Sequence, residues 1–335
     1  MLVDYCPDVL RDKDPRNPIQ HMWDTDEESR EMCRLSLPAI LKNADKFDKF
    51  YQSRFRRTKQ MYTSDNFCSI LQSELLDGFI CGSDTIFCID EFQGFDDGYY
   101  AEYPCMKNCS VAYAASFGDS HFVPETYDIL KERLKNFKAI GLREGEMLAY
   151  VRAHTTVPVQ RVLDPTLLLT AADYASITAP RLEKRPYLLL YARRYNPAMS
   201  DYAERLAQEQ GWEIIEISLR AVNVEKHKMF YEAGVEEFLS LVKHAEFVVT
   251  NSYHGIIFSL QFQREFRAFS REQCDTKISE LLDLLSLSTR LARSEELLQD
   301  SSIPYQAVNQ KMQVYRLRSL QFLKDELNWL TEEAR

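Results

Sequence analysis

Short β-rich runs alternate with helix-like stretches along nearly the whole chain, and most of the runs end in a polar turn. LLDGFICGSDTIF (75–87) closes on Gly82-Ser83-Asp84, and CSVAYAASFGDS (109–120) closes on Ser116-Phe117-Gly118. KAIGLRE (138–144) ends in Arg143-Glu144, RVLDPTLLL (161–169) is broken at Asp164-Pro165, and RPYLLLYARR (185–194) ends in Arg193-Arg194. WEIIEIS (212–218), the run before Asn251-Ser252-Tyr253-His254, and REFRAFS (264–270) continue the series. Between them lie helix-like segments at about 124–138, 198–210, 234–245 and 276–286. Such alternation favours parallel sheets covered by helices on both faces. The pattern predicts an α/β chain of two Rossmann-like, doubly wound domains facing a cleft.

The polar, proline-bearing stretch 170–186 reads as the linker, dividing the chain into 1–180 and 181–308. The tail 309–333 carries Val314, Leu317, Leu320, Leu323, Leu327 and Leu330 at helical spacing and is expected to pack back on the first domain. A helix is expected over 26–57, interrupted or bent near Pro38. LVDYCP (2–7) reads as a strand, an abrupt start for an α/β domain.

Composition narrows the function classes. A formal net charge of −10 argues against a general nucleic-acid binder, although a few converging Arg or Lys can still make a local anion pocket. The eight cysteines contain no CxxC pair and no zinc spacing. Abundant cysteine without a visible export signal points to a reducing cytoplasm, and no apolar run reaches membrane-spanning length. There is no GxSxG, no P-loop and no GxGxxG after a strand.

In open parallel sheets, ligands bind beyond the carboxyl ends of the strands. His254 stands where a β-rich run gives way to a helix expected to begin near Gly255. Free N–H groups there favour a phosphate or carboxylate, Gly255 would let a ligand or a neighbouring backbone approach closely, and an imidazole can move a proton near neutral pH. The plainer reading is a helix cap. Ser83 and Asp84 likewise fit a turn, Arg143-Glu144 a surface ion pair, Arg193 a solvated loop, and Arg271 and Lys277 an ordinary charged face. Among the other histidines, His121 follows a strand-tip turn, His21 and His154 lie in polar loops, and His244 lies near a helix end.

GSDTIF (82–87), AYAASFG (112–118), IGLREGE (140–146), VLDPTLLL (162–169) and GVEEFLSLVKHAEFVVTNSYHGIIFSLQFQREF (234–266) resemble, in order, blocks of the polysaccharide pyruvyl transferase family. FSREQCDTKISELLDLLSL (269–287) resembles the family's next segment. The resemblance implies a GT-B-like pair of domains. It implies transfer of pyruvate from phosphoenolpyruvate to a sugar of a surface polysaccharide or its precursor, as a ketal. It implies His254 as the acid/base residue, with Arg143, Arg271 and Lys277 gripping the donor. Asn251, Ser252, Gly255, Ser83, Asp84 and Arg193 complete the expected binding set. No metal or cofactor is required, and a glycan or lipid-linked saccharide would be the acceptor; self-association is a further expectation. Where some branches of the family carry Arg-Leu-His, this chain has Ser252-Tyr253-His254. Family members also begin with an extra strand and Gly-containing loop, so LVDYCP would match their second strand, with the first βα unit lacking. Alternatives are a GT-B glycosyltransferase using a nucleotide sugar, or a non-catalytic glycan- or partner-binding member.

Overall fold

The computed structural model describes residues 1–14, 27–118, 120–218, 221–271, 275–292 and 301–333. His21 and Cys274 lie outside these residues. Two parallel sheets carry the fold. The first has four strands in the order β1-β2-β3-β4: Phe79–Cys81, Ser110–Ala115, Phe137–Leu142 and Val159–Arg161. Strand β2 is buried at every position, as befits a parallel strand covered on both faces. The crossover helices α3 (Pro124–Leu134) and α4 (Leu148–His154) bring Leu130, Leu134 and Val151 to one face of this sheet.

Sequential strands joined by same-handed crossovers place their helices on the same side. The other face is covered from the far end of the chain. Helix α10 (Tyr305–Glu333) sets Phe322 and Leu330 against Val111, Tyr113, Ala139 and Val162. Its Ser319 hydroxyl accepts from the Leu163 amide at 2.9 Å. The four-stranded sheet is thus wound in one direction only, and the expectation of a doubly wound first unit does not hold for it.

The second sheet runs β10-β9-β8-β5-β6-β7 and does reverse, between β5 (Tyr187–Ala192) and β8 (Phe247–Thr250). Strands β6 (Glu213–Ser218) and β7 (Lys228–Met229) lie to one side, and β9 (Glu265–Phe269) and β10 (Leu291–Ala292) to the other. Helix α6 (Pro197–Gln210) packs Met199 and Ala203 with Leu188, Leu190 and Val249 on one face. Helices α7 (Val235–His244), α8 (Tyr253–Gln261) and α9 (Asp275–Leu284) contribute to the core on the other face.

One local expectation needs correction. Residues 2–7 join neither sheet: Leu2 and Tyr5 make single bridges to Arg57 and Tyr62, and the Tyr5 ring lodges against Phe67, Tyr99 and Tyr103. Helix α1 (Glu27–Arg54) runs unbroken through Pro38. The stretch read as linker contains the short helix α5 (Ala171–Tyr174), whose Tyr174 is buried in the second core. A further short helix, α2 (Ile70–Ser73), precedes β1. Helix α1 reaches across to the second sheet's layer, where the Lys46 ammonium donates to the Glu237 carboxylate and the Glu232 carbonyl, each at 2.7 Å.

Candidate functional site

The carboxyl-end turns of both sheets meet in one charged cluster. From the first sheet come Asp84, Arg143, Glu144 and Asp164; from the second come Tyr253, His254 and Lys277. Asp84 sits just past β1 with φ +68°, a left-handed conformation that Asp tolerates better than most residues. Its carbonyl accepts from the Ser116 and Ile86 amides, which fixes the turn against β2. Arg143 immediately follows β3, and its amide donates to the Ala115 carbonyl at 3.1 Å.

The Arg143 side chain is 2% exposed, and it lies between two carboxylates. Nη1 donates to Asp84 Oδ1 at 3.1 Å, and Nη2 lies 3.1 Å from Asp164 Oδ2. Burial alone would lower its pKa, but the surrounding anionic groups, Asp164 foremost, more than reverse this and keep the guanidinium charged. Asp164 caps the turn at Pro165–Leu167, its Oδ1 accepting from the Thr166 amide and hydroxyl. Its side chain is 1% exposed, and its Oδ2 also lies 3.8 Å from His254 Nε2. Asp84 differs in being 59% exposed. Burial acts to raise its pKa, yet Arg143, Lys277 and His254 together hold it down at about 2.

His254 is the second residue of α8, behind the N-cap Ser252. Its ring is 38% exposed and nearly perpendicular to that of the buried Tyr253. Burial lowers the His254 pKa, partly offset by Asp164 and Asp84, so the imidazole is held neutral at ordinary pH. The Lys277 ammonium lies 3.7 Å from Asp84 Oδ1 and 5.9 Å from the centre of the Tyr253 ring, over which the Arg143 guanidinium also sits at 5.3 Å. Burial pushes the Glu144 carboxyl up to about 7, against the pull of Arg143, Ser116 and Lys277. Glu91, whose carboxylate accepts from the Thr85 hydroxyl at 2.5 Å, is also raised by burial; Lys277 and Arg271 act in the opposite sense. A cavity of about 20 Å³ lies among Arg143, Asp164, Tyr253, Lys277 and Tyr315, room for a single water.

The two sheets are tied together beside this cluster. Glu280 of α9 accepts from the amides of Gly145 and Glu146 at 2.5 and 2.9 Å, and pairs with Arg161 at 2.7 Å.

The expected binding residues divide. His254, Arg143, Lys277 and Asp84 come together, and Arg271, half-buried just past β9, exerts its charge on Glu91 at the same cluster. The Asn251 amide is taken up by backbone: Oδ1 accepts from the Arg193 amide at 2.8 Å and Nδ2 donates to the Arg194 carbonyl at 2.7 Å. It laces the chain after β5 to the chain after β8, at the point where the strand order reverses. Ser252 Oγ accepts from the Gly255 amide at 3.3 Å, so the donor expected to be free is occupied by the cap. Gly255 is required by packing, since a Cβ there would stand 2.5 Å from Thr250 Oγ1. The Arg193 side chain is exposed, and Ser83 is half-buried on the turn before Asp84. Asp164, Glu144 and Tyr253 belong to the cluster although no binding role was expected of them. The signal for Asp164 was Asp-Pro at a strand end.

A family model described as polysaccharide pyruvyl transferase matches residues 15–273. Comparison with curated proteins gives no match.

Proposed function

The chain belongs to the polysaccharide pyruvyl transferase family, and from that premise we propose that it transfers pyruvate from phosphoenolpyruvate to two hydroxyls of a sugar, forming a ketal. The observation that carries this reading is the meeting of His254, Arg143 and Lys277 at the carboxyl ends of two parallel sheets. We read those sheets as Rossmann-like units facing one cleft in the GT-B manner, with the division near residue 180.

The chemistry needs a proton for the enol methylene, a base for the acceptor hydroxyl and fixed charge for the anionic donor. Protonation of the methylene makes the adjacent carbon electrophilic. One sugar hydroxyl adds there, phosphate departs, and the second hydroxyl closes the ketal, its proton leaving with the phosphate. Donor binding raises the proton affinity of His254, and the imidazolium, stabilised by Asp164, gives its proton to the methylene. The neutral ring then takes the proton of the first hydroxyl as it adds. The donor's phosphate displaces the exposed Asp84 carboxylate from Lys277 and Arg143, and Arg271 supplies a further positive charge. The buried Asp164 stays in place and keeps Arg143 compensated.

The test is phosphate release from phosphoenolpyruvate across a panel of glycans and lipid-linked saccharides, with the ketal methyl followed by NMR. Wild-type protein should release phosphate only with an acceptor. His254→Gln should lower the rate by roughly 10²–10⁴-fold. Its melting temperature should change little, because the ring is partly exposed. Turnover of a nucleotide sugar, with no response to phosphoenolpyruvate, would replace this reading with a glycosyltransferase.

A further inference from the structure

Outside the charged cluster, two thiols meet closely. Cys68 and Cys105 are 37 residues apart in sequence, yet their Sγ atoms lie 2.7 Å apart. Cys68 is the exposed residue of the helical turn Phe67–Ser69, and Cys105 is half-buried in the loop that leads into β2. The neighbouring rings Phe67 and Tyr103 stack with centroids 4.5 Å apart, which holds the two segments in register beside the sulfurs. The third thiol nearby, Cys109, is directed at the carbonyls of Cys105 and Met106, both at 3.3 Å. Among the described residues no three His, Cys, Asp or Glu are placed to hold a metal.

We propose that Cys68 and Cys105 form a reversible disulfide, with a small-molecule disulfide such as oxidised glutathione as the oxidant. The solvent-exposed Cys68 thiolate attacks one sulfur of the oxidant, and one glutathione thiolate leaves. Cys105 then loses its proton and attacks the Cys68 sulfur of the mixed disulfide, expelling the second glutathione. Two protein thiols are oxidised, one glutathione disulfide is reduced, and the two protons end on the two glutathione thiols. Cys68 is the exposed thiol, and burial and the adjacent Cys68 sulfur push the Cys105 thiol up, which assigns the first attack to Cys68.

The bond would tie the segment before β1 to the segment before β2, at the amino-terminal end of the strands and away from the carboxyl-end cluster. Closing a 37-residue separation restricts the unfolded chain and should raise the melting temperature of the oxidised protein by several degrees.

The experiment oxidises the full chain with glutathione disulfide, quenches it, labels remaining thiols under denaturing conditions, and maps the peptides by mass spectrometry. The chain has eight cysteines. The expected result is two thiols lost, a peptide pair joined through Cys68 and Cys105, and a higher melting temperature that dithiothreitol reverses. Cys68→Ser and Cys105→Ser should each lose both the cross-link and the shift. Retention of all eight thiols would overturn the proposal. So would stable glutathione adducts in place of a bridge, or a bridge that persists in Cys68→Ser.

Discussion

Replacing Asp164 by Asn tests the charge structure of the site most directly. The substitution keeps a side-chain oxygen that can accept from the Thr166 amide, so the turn remains capped. It removes the charge that lies 3.1 Å from Arg143 Nη2, in a place where the arginine side chain is 2% exposed and the aspartate 1%. Two unit charges at that separation attract by about 5 kcal/mol at an effective dielectric of about 20. Asp84 still contacts the same guanidinium at 3.1 Å, but it is 59% exposed and solvent weakens its share. The expected net loss is about 3 kcal/mol, at the low end of what breaking a buried ion pair costs. Urea unfolding measures it, with Asp84→Asn as the control, where the loss should stay below about 1 kcal/mol. Asp164 also raises the His254 pKa. The limb of the pH–rate profile governed by that imidazole should therefore move to lower pH in Asp164→Asn, whether the neutral or the protonated ring is the active form. Equal losses for the two substitutions, or a pH profile that does not move, would refute the assignment of Asp164 as the buried counterion of both groups.

Two further substitutions probe the same region. Glu144 has its carboxyl raised from 4.5 to about 7 by burial, so its contribution to stability is complete below 4.5 and is lost as the pH rises through about 7. Glu144→Gln removes that loss; its stability relative to wild type should rise between pH 4.5 and 8 by at most about 3 kcal/mol, and parallel pH curves would contradict the assignment. Gly255→Ala would drive a methyl to 2.5 Å from Thr250 Oγ1 and 3.0 Å from the Tyr191 ring. Since that hydroxyl donates to the Tyr191 carbonyl and accepts from the Ser252 amide, it cannot yield freely, and a loss of about 1–3 kcal/mol is expected by urea unfolding.

The parallel core was legible because its longer strands are runs rich in apolar residues between polar turns. Strands β2, β5, β6 and β9 fall within the predicted stretches, and β8 begins one residue ahead of its own, at Phe247. The edge strands β7 and β10 are two residues each, too short to impose any pattern, and neither was predicted. The run 161–169 was placed too late. Strand β4 ends at Arg161, and the Asp164-Pro165 step opens a helical turn, for which proline's fixed φ is suited. In the site, the cations, the histidine and the carboxylates Asp84 and Asp164 could all be read as polar residues at strand tips, but which would pair with which could not. Whether Asp84 faces solvent or Arg143 depends on which tips become neighbours, and that depends on strand order. Gly255 shows the same limit. Its place in the sequence fitted either ligand access or close packing, and only the contact with Thr250 separates the two.

On the proposed reading, a site for a highly charged donor faces a difficulty when empty, because cations gathered in a partly dry cluster repel one another and resist burial. Arg143 and Lys277 both lie over the Tyr253 ring, and neither is solvated like a surface side chain. The molecule meets this with two carboxylates of opposite character. Asp164, inaccessible and already capping a turn, is a fixed counterion that no ligand can easily replace. Asp84, on a tight turn and largely exposed, touches the same guanidinium and the Lys277 ammonium from the solvent side. Its contacts cost least to exchange, since its carboxylate can return to water while an incoming phosphate takes over the two cations. A neutral His254 fits the same balance: with one fixed and one displaceable anion opposite two cations, a third positive charge is disfavoured until an anionic donor arrives to raise the imidazole's proton affinity.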